Sequence, residues 1–530
     1  MAEEQSGPGA ASRAGAGRSS PSAVPADRCP VPRAAWALGA LFFALHILPR
    51  PGYGFHRDEL LYLAMADHLD LLAMQFPPLI AVLGWVAKAM PMDLLWAVRL
   101  IAAVAGTAVL AAAVDMARRL GGGREAQILT ALSVLVAPLI LRTSALFHPV
   151  IFEILWWTLA AWAFVALLGG GDRRWWVLFG VAAGLGGLTK FSAAIFGVAM
   201  AVGVFASPLR RDFRTRWPWT AIALGALVAL PSVLGQIHWG WPFFEQARVL
   251  RESQLDRVTA GAFLSGQLLL AGAAFPLLPA GLAGLFASRD LRPYRPLGVS
   301  ALAAIAFLLV LGGKEYYFGP MHPALLAAGS VATGNWLARR RWAWRVALAW
   351  GAVAGLLLLP MGIPLLPPSA MARYASALGI TRAVTTNRGT MLPLPQDYAD
   401  MLGWREQAAE VARVYHALPE SEQARTTIVG GNYGRTGALA VYRGEFGLPY
   451  PVSRAGDFWA WGYGDPDPAV VIIVGGTVEE LSEAFTDVVE AGRVSTPLGV
   501  EEEQSVPIHV CRGPLEPIPL LWARLGPVWG

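Results

Sequence analysis

The feature that most constrains this chain is a series of apolar stretches close to the roughly 20 residues that cross the hydrocarbon core of a bilayer. The 530 residues are 55% apolar and 15% charged, whereas about a quarter of an ordinary soluble domain is charged. Two cysteines are too few for a disulfide scaffold. The sequence therefore predicts an α-helical polytopic membrane protein and excludes an ordinary soluble enzyme. Eleven spans are predicted: 34–48, 94–117, 125–141, 150–168, 175–188, 191–206, 218–236, 262–287, 297–312, 320–338 and 344–366.

Arginine clusters occupy every second connection between these spans. Cytoplasmic loops of membrane proteins carry such an excess, so this side is predicted to face the cytoplasm. We interpret the net charge of +5 as membrane topology rather than as a sign of nucleic-acid binding. Residues 1–33, mostly Ala, Gly, Ser, Pro and Arg, predict a disordered cytoplasmic tail. The clusters are Arg118/Arg119/Arg124, Arg173/Arg174, Arg210/Arg211/Arg214/Arg216, Arg289/Arg292/Arg295 and Arg339/Arg340/Arg341/Arg345.

The first connection, about residues 49–93, is predicted to form a long outer loop. Its segment Pro78–Met90 is apolar but short, and counting it as a span would move every later arginine cluster to the opposite side. We therefore expect this segment to lie along the outer surface. An odd number of spans makes 34–366 a membrane domain and places 367–530 outside. The many Arg and few Lys favour a bacterial inner membrane.

Residues 367–530 have the composition of a small extracytoplasmic α/β domain. Thr426–Gly430 and Ala469–Gly475 predict short buried strands. Glu406–Leu418 and Val478–Phe485 predict helices. We interpret the glycine-containing segment Gly431–Gly437 as a turn into a helix beginning near Thr436, rather than as a phosphate-binding loop.

Two adjacent carboxylates, Asp58 and Glu59, lie in the first outer loop. Placing charge near hydrocarbon costs free energy, so two adjacent acids at the membrane surface require an explanation. One interpretation is a helix start, with acids in the first turn; the other is a catalytic site. Consecutive helical residues point in different directions, so at most one of the two faces a given atom.

A second acidic site is predicted at His148 and Glu153, where the fourth span begins. An acid one turn inside an apolar helix is a candidate for function. Pairing of Glu153 with Arg142 is the structural alternative, and the sequence leaves both open.

Several basic and tyrosine residues are predicted at the same outer boundary. Lysines there commonly extend their ammonium groups to the interface, or bind a lipid phosphate. Lys314 can also pair with its neighbour Glu315. The candidates for donor-phosphate binding are Arg57, Lys190, Arg251, Lys314, Tyr316 and Tyr317.

The eight histidines all fall on the predicted outer side, which leaves a divalent metal open as a cofactor. His56, His148 and His322 come from loops that can converge. None of them has the spacing of a known ligand motif, and the sequence predicts no cofactor with certainty.

In combination, several stretches resemble the bacterial family 39 glycosyltransferases, the membrane group that includes protein O-mannosyltransferases and the aminoarabinose transferase acting on lipid A. The resemblance covers roughly residues 35–340, and the tail is similar to one bacterial subgroup. The stretches are Arg57-Asp58-Glu59-Leu60-Leu61-Tyr62, Asp70, Phe76-Pro77-Pro78-Leu79, GLGGLTKFS at 184–192, KEYYFGPMHP at 314–323, Asn432-Tyr433-Gly434 and Phe446-Gly447-Leu448-Pro449.

The resemblance implies a GT-C fold with a cavity open to the outer leaflet and a polyprenyl-phosphate-linked sugar as donor. It implies that Asp58 is the catalytic carboxylate, and that Lys314 and Tyr316 lie near the donor phosphate. His148 and Glu153 depart from the family pattern, because several such enzymes carry an aspartate-containing second motif there.

The resulting hypothesis is an inverting transferase with Asp58 as general base. The acceptor is a glycolipid, polysaccharide or protein outside the cytoplasm. Arg57 is expected to keep Asp58 ionised, and the lysines to stabilise the departing lipid phosphate. A carrier or flippase of lipid-linked sugars, and a partner-binding membrane protein, are the alternatives. The chain shows none of the inverted repeats usual in transporters.

Overall fold

Helices dominate the fold. The computed structural model describes residues 30–255, 258–379, 384–386 and 389–529, so nearly all of the predicted tail lies outside the described residues. Apolar runs become helices because a helix satisfies its own backbone hydrogen bonds without water. The helices up to residue 362 are α1 Arg33–His46, α2 Arg57–Asp67, α3 Leu79–Ala89, α4 Leu94–Arg119, α5 Arg124–Val136, α6 Pro138–Ser144, α7 Pro149–Leu168, α8 Trp175–Gly187, α9 Ala193–Phe205, α10 Arg216–His238, α11 Pro242–Ser253, α12 Ala260–Ala271, α13 Leu277–Ala287, α14 Arg295–Val310, α15 His322–Arg339 and α16 Arg341–Gly362.

The described chain has the helices of a multi-pass membrane protein. Five of them are long and apolar enough to cross a bilayer, and the number rises to eight when each of three bent helix pairs is one span. Each of the eleven predicted spans contains a helix. Three of these helices, α1, α8 and α15, fall short of the length or apolarity required of a span. The count of eleven stays a prediction.

Two predicted spans are not continuous helices. Segment 125–141 bends by 62° where α5 ends and Pro138 begins α6, and segment 262–287 bends by 99° between α12 and α13. In the second, Gly272 takes a φ of +54° and Pro276 follows. Proline lacks a backbone donor and clashes with the preceding turn, so it ends or bends a helix that hydropathy alone predicts to be straight.

Helix α16 shows how the assembly faces lipid. Five of its large apolar side chains recur every three or four residues, and they are between 58% and 72% exposed. A continuous apolar stripe of this size is what a helix next to hydrocarbon presents. The five side chains are Trp342, Val346, Trp350, Val353 and Leu356.

The arginine-rich connections meet at one end of the helical assembly. The hydroxyl of Tyr294 donates to the carbonyl of Arg119 at 2.9 Å, and Arg173 lies 3.6 Å from Asp212. Helix α4 runs from this end to the first outer loop, where Arg99 donates to the carbonyl of Tyr53 at 3.1 Å. The loops that the charge pattern assigns to one side therefore lie together.

The remaining chain forms the α/β domain around a four-stranded sheet of order β1-β2-β4-β3. Strands β1 and β2 are parallel, and the other two pairs are antiparallel. The elements are α17 Pro368–Leu378, α18 Gln396–Ala399, α19 Trp404–His416, α20 Glu420–Gln423, β1 Thr426–Gly430, α21 Tyr433–Phe446, α22 Asp457–Ala460, β2 Val470–Val474, α23 Val478–Ser482, β3 Phe485–Ser495, β4 Ser505–Pro514 and α24 Ile518–Leu525.

Two boundaries predicted in this domain are wrong. The helix expected over Val478–Phe485 ends at Ser482, and Phe485 begins strand β3. The helix expected near Thr436 begins three residues earlier, because Asn432 caps it by accepting from the Arg435 amide at 2.9 Å.

The α/β domain packs directly on α2 of the first outer loop. Helix α21 approaches so closely that a Cβ on Gly437 would lie 2.7 Å from a backbone atom of Leu60. Eight of the eleven residues of α2 are buried. This contact brings residues from the two ends of the chain to a common site.

Candidate active site

The site begins at the first turn of α2, where the adjacent carboxylates of Asp58 and Glu59 have different hydrogen-bond partners. The His56 imidazole caps the helix, with Nδ1 accepting from the amide of Asp58 at 3.1 Å. Glu59 completes the capping box by accepting from the His56 amide at 2.8 Å. The helix-start interpretation therefore holds for Glu59. The carboxylate of Asp58 takes no part in the capping box and has other partners.

Glu59 also fixes the loop before α7. Its second oxygen accepts from the amide of Phe147 at 2.7 Å, and the residue is 3% exposed. Both oxygens are thus occupied by backbone amides from two parts of the chain. This arrangement positions the following residue, His148 at the N-cap of α7, beside Asp58.

We expect Glu59→Gln to destabilise the protein by about 1–3 kcal/mol, because the amide nitrogen of Gln cannot accept and one buried backbone donor loses its partner. The measurement is thermal unfolding in detergent, with Glu445→Gln as the matched control at an exposed ion pair. An unfolding midpoint equal to that of the wild type would contradict this role of Glu59.

Asp58 is held by groups from two other parts of the chain. The Tyr433 hydroxyl donates to Oδ1 at 2.9 Å, and His148 Nε2 lies 3.4 Å from Oδ2. The side chain remains 25% exposed. Burial acts to raise the pKa of Asp58, but the hydrogen bond from His148 and neighbouring positive charge, including that of Arg57, hold it well below its usual range. Asp58 is therefore an ionised carboxylate at neutral pH.

Both flanking histidines have their orientation set by helix capping. His148 Nδ1 accepts from the Val150 amide at 3.2 Å, as His56 Nδ1 does from Asp58. These bonds assign the ring proton of each neutral imidazole to Nε2. In His148 that nitrogen faces Asp58, and in His56 it faces Asp400 at 3.8 Å.

Asp58 lines an open cleft of about 1040 Å³, its solvent-exposed mouth included. Arg57 forms part of the cleft wall. Its guanidinium pairs with two acids of the α/β domain, Glu502 at 2.6 Å and Asp400 at 3.4 Å. Burial raises the pKa of Asp400 to about 6. The lining residues are His56, Arg57, Asp58, Gln254, Thr386, Thr390, Gln396, Asp397, Asp400, Tyr433, Val500, Glu501 and Glu502.

Lys314, one of the predicted lysines, lies next to this cleft, and Lys190 lies near Lys314. Lys314 donates to Gln254, itself a lining residue, at 2.5 Å. Burial, and then the charge of Lys190, lower the pKa of Lys314 to about 8. Among the described residues, the buried Nζ of Lys190 makes no hydrogen bond, although Glu153 Oε2 lies 3.5 Å from it. We call Lys190 and Lys314 the lysine pair.

Tyr316 and Tyr317 support the lysine pair through their rings. Lys190 Nζ lies 4.9 Å from the ring centre of Tyr316 and 4.5 Å from that of Tyr317. Such cation–π contacts hold an ammonium group without occupying its donors. Arg251, the remaining predicted cation, is exposed in the last turn of α11, three residues before Gln254.

The two residues of the predicted second acidic site lie in different places. His148 joins Asp58, whereas Glu153 accepts from Ser192 at 2.5 Å and lies 3.5 Å from Lys190. The alternative pairing of Glu153 with Arg142 is not found, because Arg142 lies 3.2 Å from Asp397 instead. Glu153 thus orients Lys190.

The histidines do not form a metal centre. His322 is buried away from the cleft and pairs with Gln267 at 2.8 Å. No group of three or more His, Cys, Asp or Glu side chains in the described part of the chain could hold a metal ion. The convergence expected of His56, His148 and His322 is therefore limited to the first two.

Sequence reasoning missed the residues that the α/β domain contributes. Tyr433 contacts Asp58, while Asp400 and Glu502 contact Arg57. The signal for Tyr433 lay in the Asn-Tyr-Gly stretch that resembles relatives' tails. Its meaning depended on α21 packing against α2, which no local pattern reveals.

One protein-family model matches part of the chain. Residues 75–234 match the family model described as dolichyl-phosphate-mannose-protein mannosyltransferase. No curated protein sequence matches the chain at a significant level.

Two solved structures resemble the chain over nearly its whole length. ArnT from Cupriavidus metallidurans bound to undecaprenyl phosphate is 16% identical, with a TM-score of 0.59 over 89% of this chain and 97% of that one. Its apo form is also 16% identical, with a TM-score of 0.58 over 90% and 97%. The likeness shows the fold, and the predicted GT-C architecture with its small C-terminal sheet is confirmed.

Proposed function

We propose that this protein of GT-C fold transfers a sugar from a polyprenyl-phosphate donor to an acceptor outside the cytoplasm. One observation carries the proposal: the ionised carboxylate of Asp58 lines an open cleft, and Lys314 of the lysine pair donates to Gln254 in the wall of the same cleft. The family match and the ArnT structure bound to undecaprenyl phosphate support a lipid-linked donor. A glycolipid, polysaccharide or protein is the acceptor.

In the proposed reaction, Asp58 is the general base. The acceptor hydroxyl attacks the anomeric carbon, and its proton becomes strongly acidic as the new bond forms. Asp58 then takes the proton while the bond from the sugar to the lipid phosphate breaks. Attack opposite the leaving group inverts the anomeric centre. Tyr433 and His148 fix the two carboxylate oxygens during this step.

The lysine pair stabilises the departing phosphate. Negative charge grows on the bridging oxygen as that bond breaks, and ammonium groups already in place stabilise it without rearrangement. Lys190 retains unoccupied donors for this purpose. Tyr316 and Tyr317 hold its ammonium group, while Glu153 sets its direction. Arg57 supports Asp58 and the cleft wall, and Arg251 at the end of α11 serves at the outer edge, toward the phosphate.

The proposed topology follows the arginine loops. The end containing Arg119 and Arg173 faces the cytoplasm, and the Asp58 cleft opens at the outer leaflet. Residues 34–366 form the membrane domain and 367–530 the extracytoplasmic domain. We assign the protein to a bacterial inner membrane, with its N-terminus cytoplasmic and its C-terminus outside.

The direct experiment is sugar transfer by the purified protein in lipid nanodiscs. Radiolabelled polyprenyl-phosphate sugars are supplied with a membrane extract as the source of acceptor. We expect label in an extractable product and an anomeric configuration opposite to that of the donor. Retained configuration would contradict the single-displacement mechanism. Absence of transfer from every donor by folded protein would favour a carrier.

The alkaline side of the pH profile tests Lys314. Its ammonium form binds the phosphate, and its lowered pKa means that the charge is lost as pH rises through about 8. We therefore expect kcat/KM for the donor, which reports groups of the free enzyme, to fall above that pH. In Lys314→Arg the fall should move to higher pH, because guanidinium stays charged. An unchanged alkaline limb would exclude Lys314 as its source.

A further inference from the structure

A second cavity lies at the far end of α2 from Asp58. It encloses about 540 Å³, its open mouth included, between the first outer loop, the end of α10 and helix α22 of the α/β domain. The cavity is separate from the cleft, because the two share no lining residue. Its principal lining residues are Met65, His68, Asp70, Trp239, Asp457 and Trp461.

Asp457, one of the lining residues, carries a buried oxygen without a hydrogen-bond partner in the described part of the chain. The residue is 2% exposed, and its Oδ1 accepts from the amides of Met74 at 2.8 Å and Gln75 at 2.9 Å. Its Oδ2 has no hydrogen-bond partner among the described residues. Burial outweighs the neighbouring amides and raises the pKa of Asp457 to about 6. Leaving a buried carboxylate oxygen without a hydrogen bond costs free energy, and a hydrogen-bond donor that reached the oxygen would remove that cost.

His68 presents a second unsatisfied atom. Its ring stacks on Trp461 with 4.3 Å between ring centres, and meets the ring of Tyr450 edge-on at 4.8 Å. These contacts fix the imidazole, yet its buried Nε2 has no hydrogen-bond partner in the described chain. Burial lowers the pKa of His68, which favours the neutral ring. Two lining residues of the cavity, Asp457 and His68, therefore each carry a polar atom without a hydrogen-bond partner among the residues that the structure describes.

The walls around these atoms are aromatic and lack basic residues. Trp239 lines the cavity, and its Nε1 is already occupied by the carbonyl of Leu72 at 2.8 Å. None of the described lining residues is Lys or Arg. With Asp70 and Asp457 present, the cavity disfavours an anion such as a phosphate. A ligand that carries hydroxyl groups on an apolar ring fits both the unpartnered polar atoms and the aromatic walls.

We propose that this cavity binds a saccharide unit of the acceptor. A sugar hydroxyl donates to Asp457 Oδ2, a second one pairs with His68 Nε2, and the ring lies against the aromatic wall. Asp58 and His68 are ten residues apart in sequence, about 15 Å at the rise of a helix. That distance exceeds one sugar ring, so the bound unit is not the one that reacts. The inference rests on the proposed function, which supplies a saccharide acceptor.

The test is equilibrium binding to the full-length protein in nanodiscs. The probes are methyl α-D-mannopyranoside, methyl β-D-glucopyranoside and methyl β-D-galactopyranoside, with tetramethylammonium as a cationic control. We expect at least one glycoside to bind, about tenfold or more weakly in Asp457→Asn, since a charge-assisted hydrogen bond is lost. Binding should be unchanged in Asp467→Asn, which alters an exposed pair with Arg425 away from the cavity lining. Tetramethylammonium binding without glycoside binding would overturn the proposal.

A second variant covers the case in which Asp457→Asn does not fold. His68→Phe keeps an aromatic ring between Trp461 and Tyr450 but removes the nitrogen, and we expect weaker glycoside binding at an unchanged unfolding midpoint. Glycoside affinity equal to that of the wild type in either folded variant would contradict the proposal.

Turnover separates this inference from the proposed function. If both hold, His68→Phe and Asp457→Asn raise the acceptor KM and leave kcat unchanged. If the wild type binds glycosides through Asp457 but transfers nothing, the transferase function fails and the binding site stands. If transfer occurs with a wild-type acceptor KM in both variants, the binding site fails and the function stands.

Discussion

Asp58→Asn is expected to lower the rate of sugar transfer by about 10²–10⁴, the usual contribution of a positioned general base. The amide keeps the size of the side chain but cannot take a proton from the acceptor hydroxyl. Binding of the donor should change little, because we assign phosphate binding to the lysine pair rather than to Asp58. The measurement is the initial rate of transfer at saturating donor, with the donor KM determined beside it.

Asp67→Asn is the matched control for this prediction. Asp67 ends the same helix that Asp58 begins, and it pairs with Lys88 at the surface. We expect transfer by the control within about twofold of the wild type, in keeping with the small energies of exposed ion pairs. If Asp58→Asn transferred as fast as the control, the base would have to be another group, with Glu59 or Glu153 the next acids to test.

Removing one ammonium group of the lysine pair is expected to cost about 10²–10³ in kcat, as for other preorganised groups that stabilise developing charge. Lys190→Gln removes the charge above the two tyrosine rings and leaves Glu153 without its cation, and Lys314→Gln removes the donor to Gln254. Both variants should also raise the donor KM. Rates with saturating and limiting donor separate the two effects.

The chain supplies its own control for the lysines, because it has only one other, Lys88. Lys88→Gln disrupts an exposed ion pair on the same outer side and is expected to transfer normally. Full activity in both Lys190→Gln and Lys314→Gln would remove the lysine pair from the mechanism. The phosphate would then have to be bound elsewhere, and Arg251 would be the first cation to examine.

Much of the helical architecture could be predicted from the sequence because apolar length and arginine position are local signals. Hydropathy locates a helix in each predicted span, and the arginine loops do lie together at one end. Hydropathy averages cannot detect a bend in a helix, because Pro138 and Pro276 lie inside segments whose average composition is apolar. Broken helices follow from single residues, not from averages.

In the α/β domain, two of the four strands could be predicted from the sequence and two could not. Strands β1 and β2 are short runs rich in β-branched residues, and this pattern predicts them. Strand β3 is largely exposed and has no such run, and β4 contains Pro507. Both become strands by pairing with each other and with β2, which depends on the tertiary fold.

The site was predictable only where one stretch of chain carried the signal. Asp58 and the lysines belong to stretches that resemble a family, so their selection did not need the fold. The separate tasks of Asp58 and Glu59 depend on Phe147, and the role of Tyr433 depends on helix α21 lying on α2. Contacts of such high sequence separation leave no periodic pattern to detect.

One consequence is that the α/β domain contributes to the site. Its Tyr433 donates to Asp58, and its acids Asp400 and Glu502 contact Arg57 in the cleft wall. Arg435 and Asn432 in turn bind the buried Glu503, which fixes the start of α21. The domain therefore shapes the cleft around Asp58, in addition to covering it.

The central claim is tested most directly by a single turnover of one polyprenyl-phosphate sugar. Purified protein in nanodiscs is mixed with the donor and a membrane extract, and free polyprenyl phosphate and glycosylated product are quantified together. We predict that both appear in equal amounts with the wild type and that neither appears on the same timescale with Asp58→Asn. An intact donor after incubation with folded wild-type protein, while the same protein in vesicles moves that donor between leaflets, would contradict the account and identify a carrier.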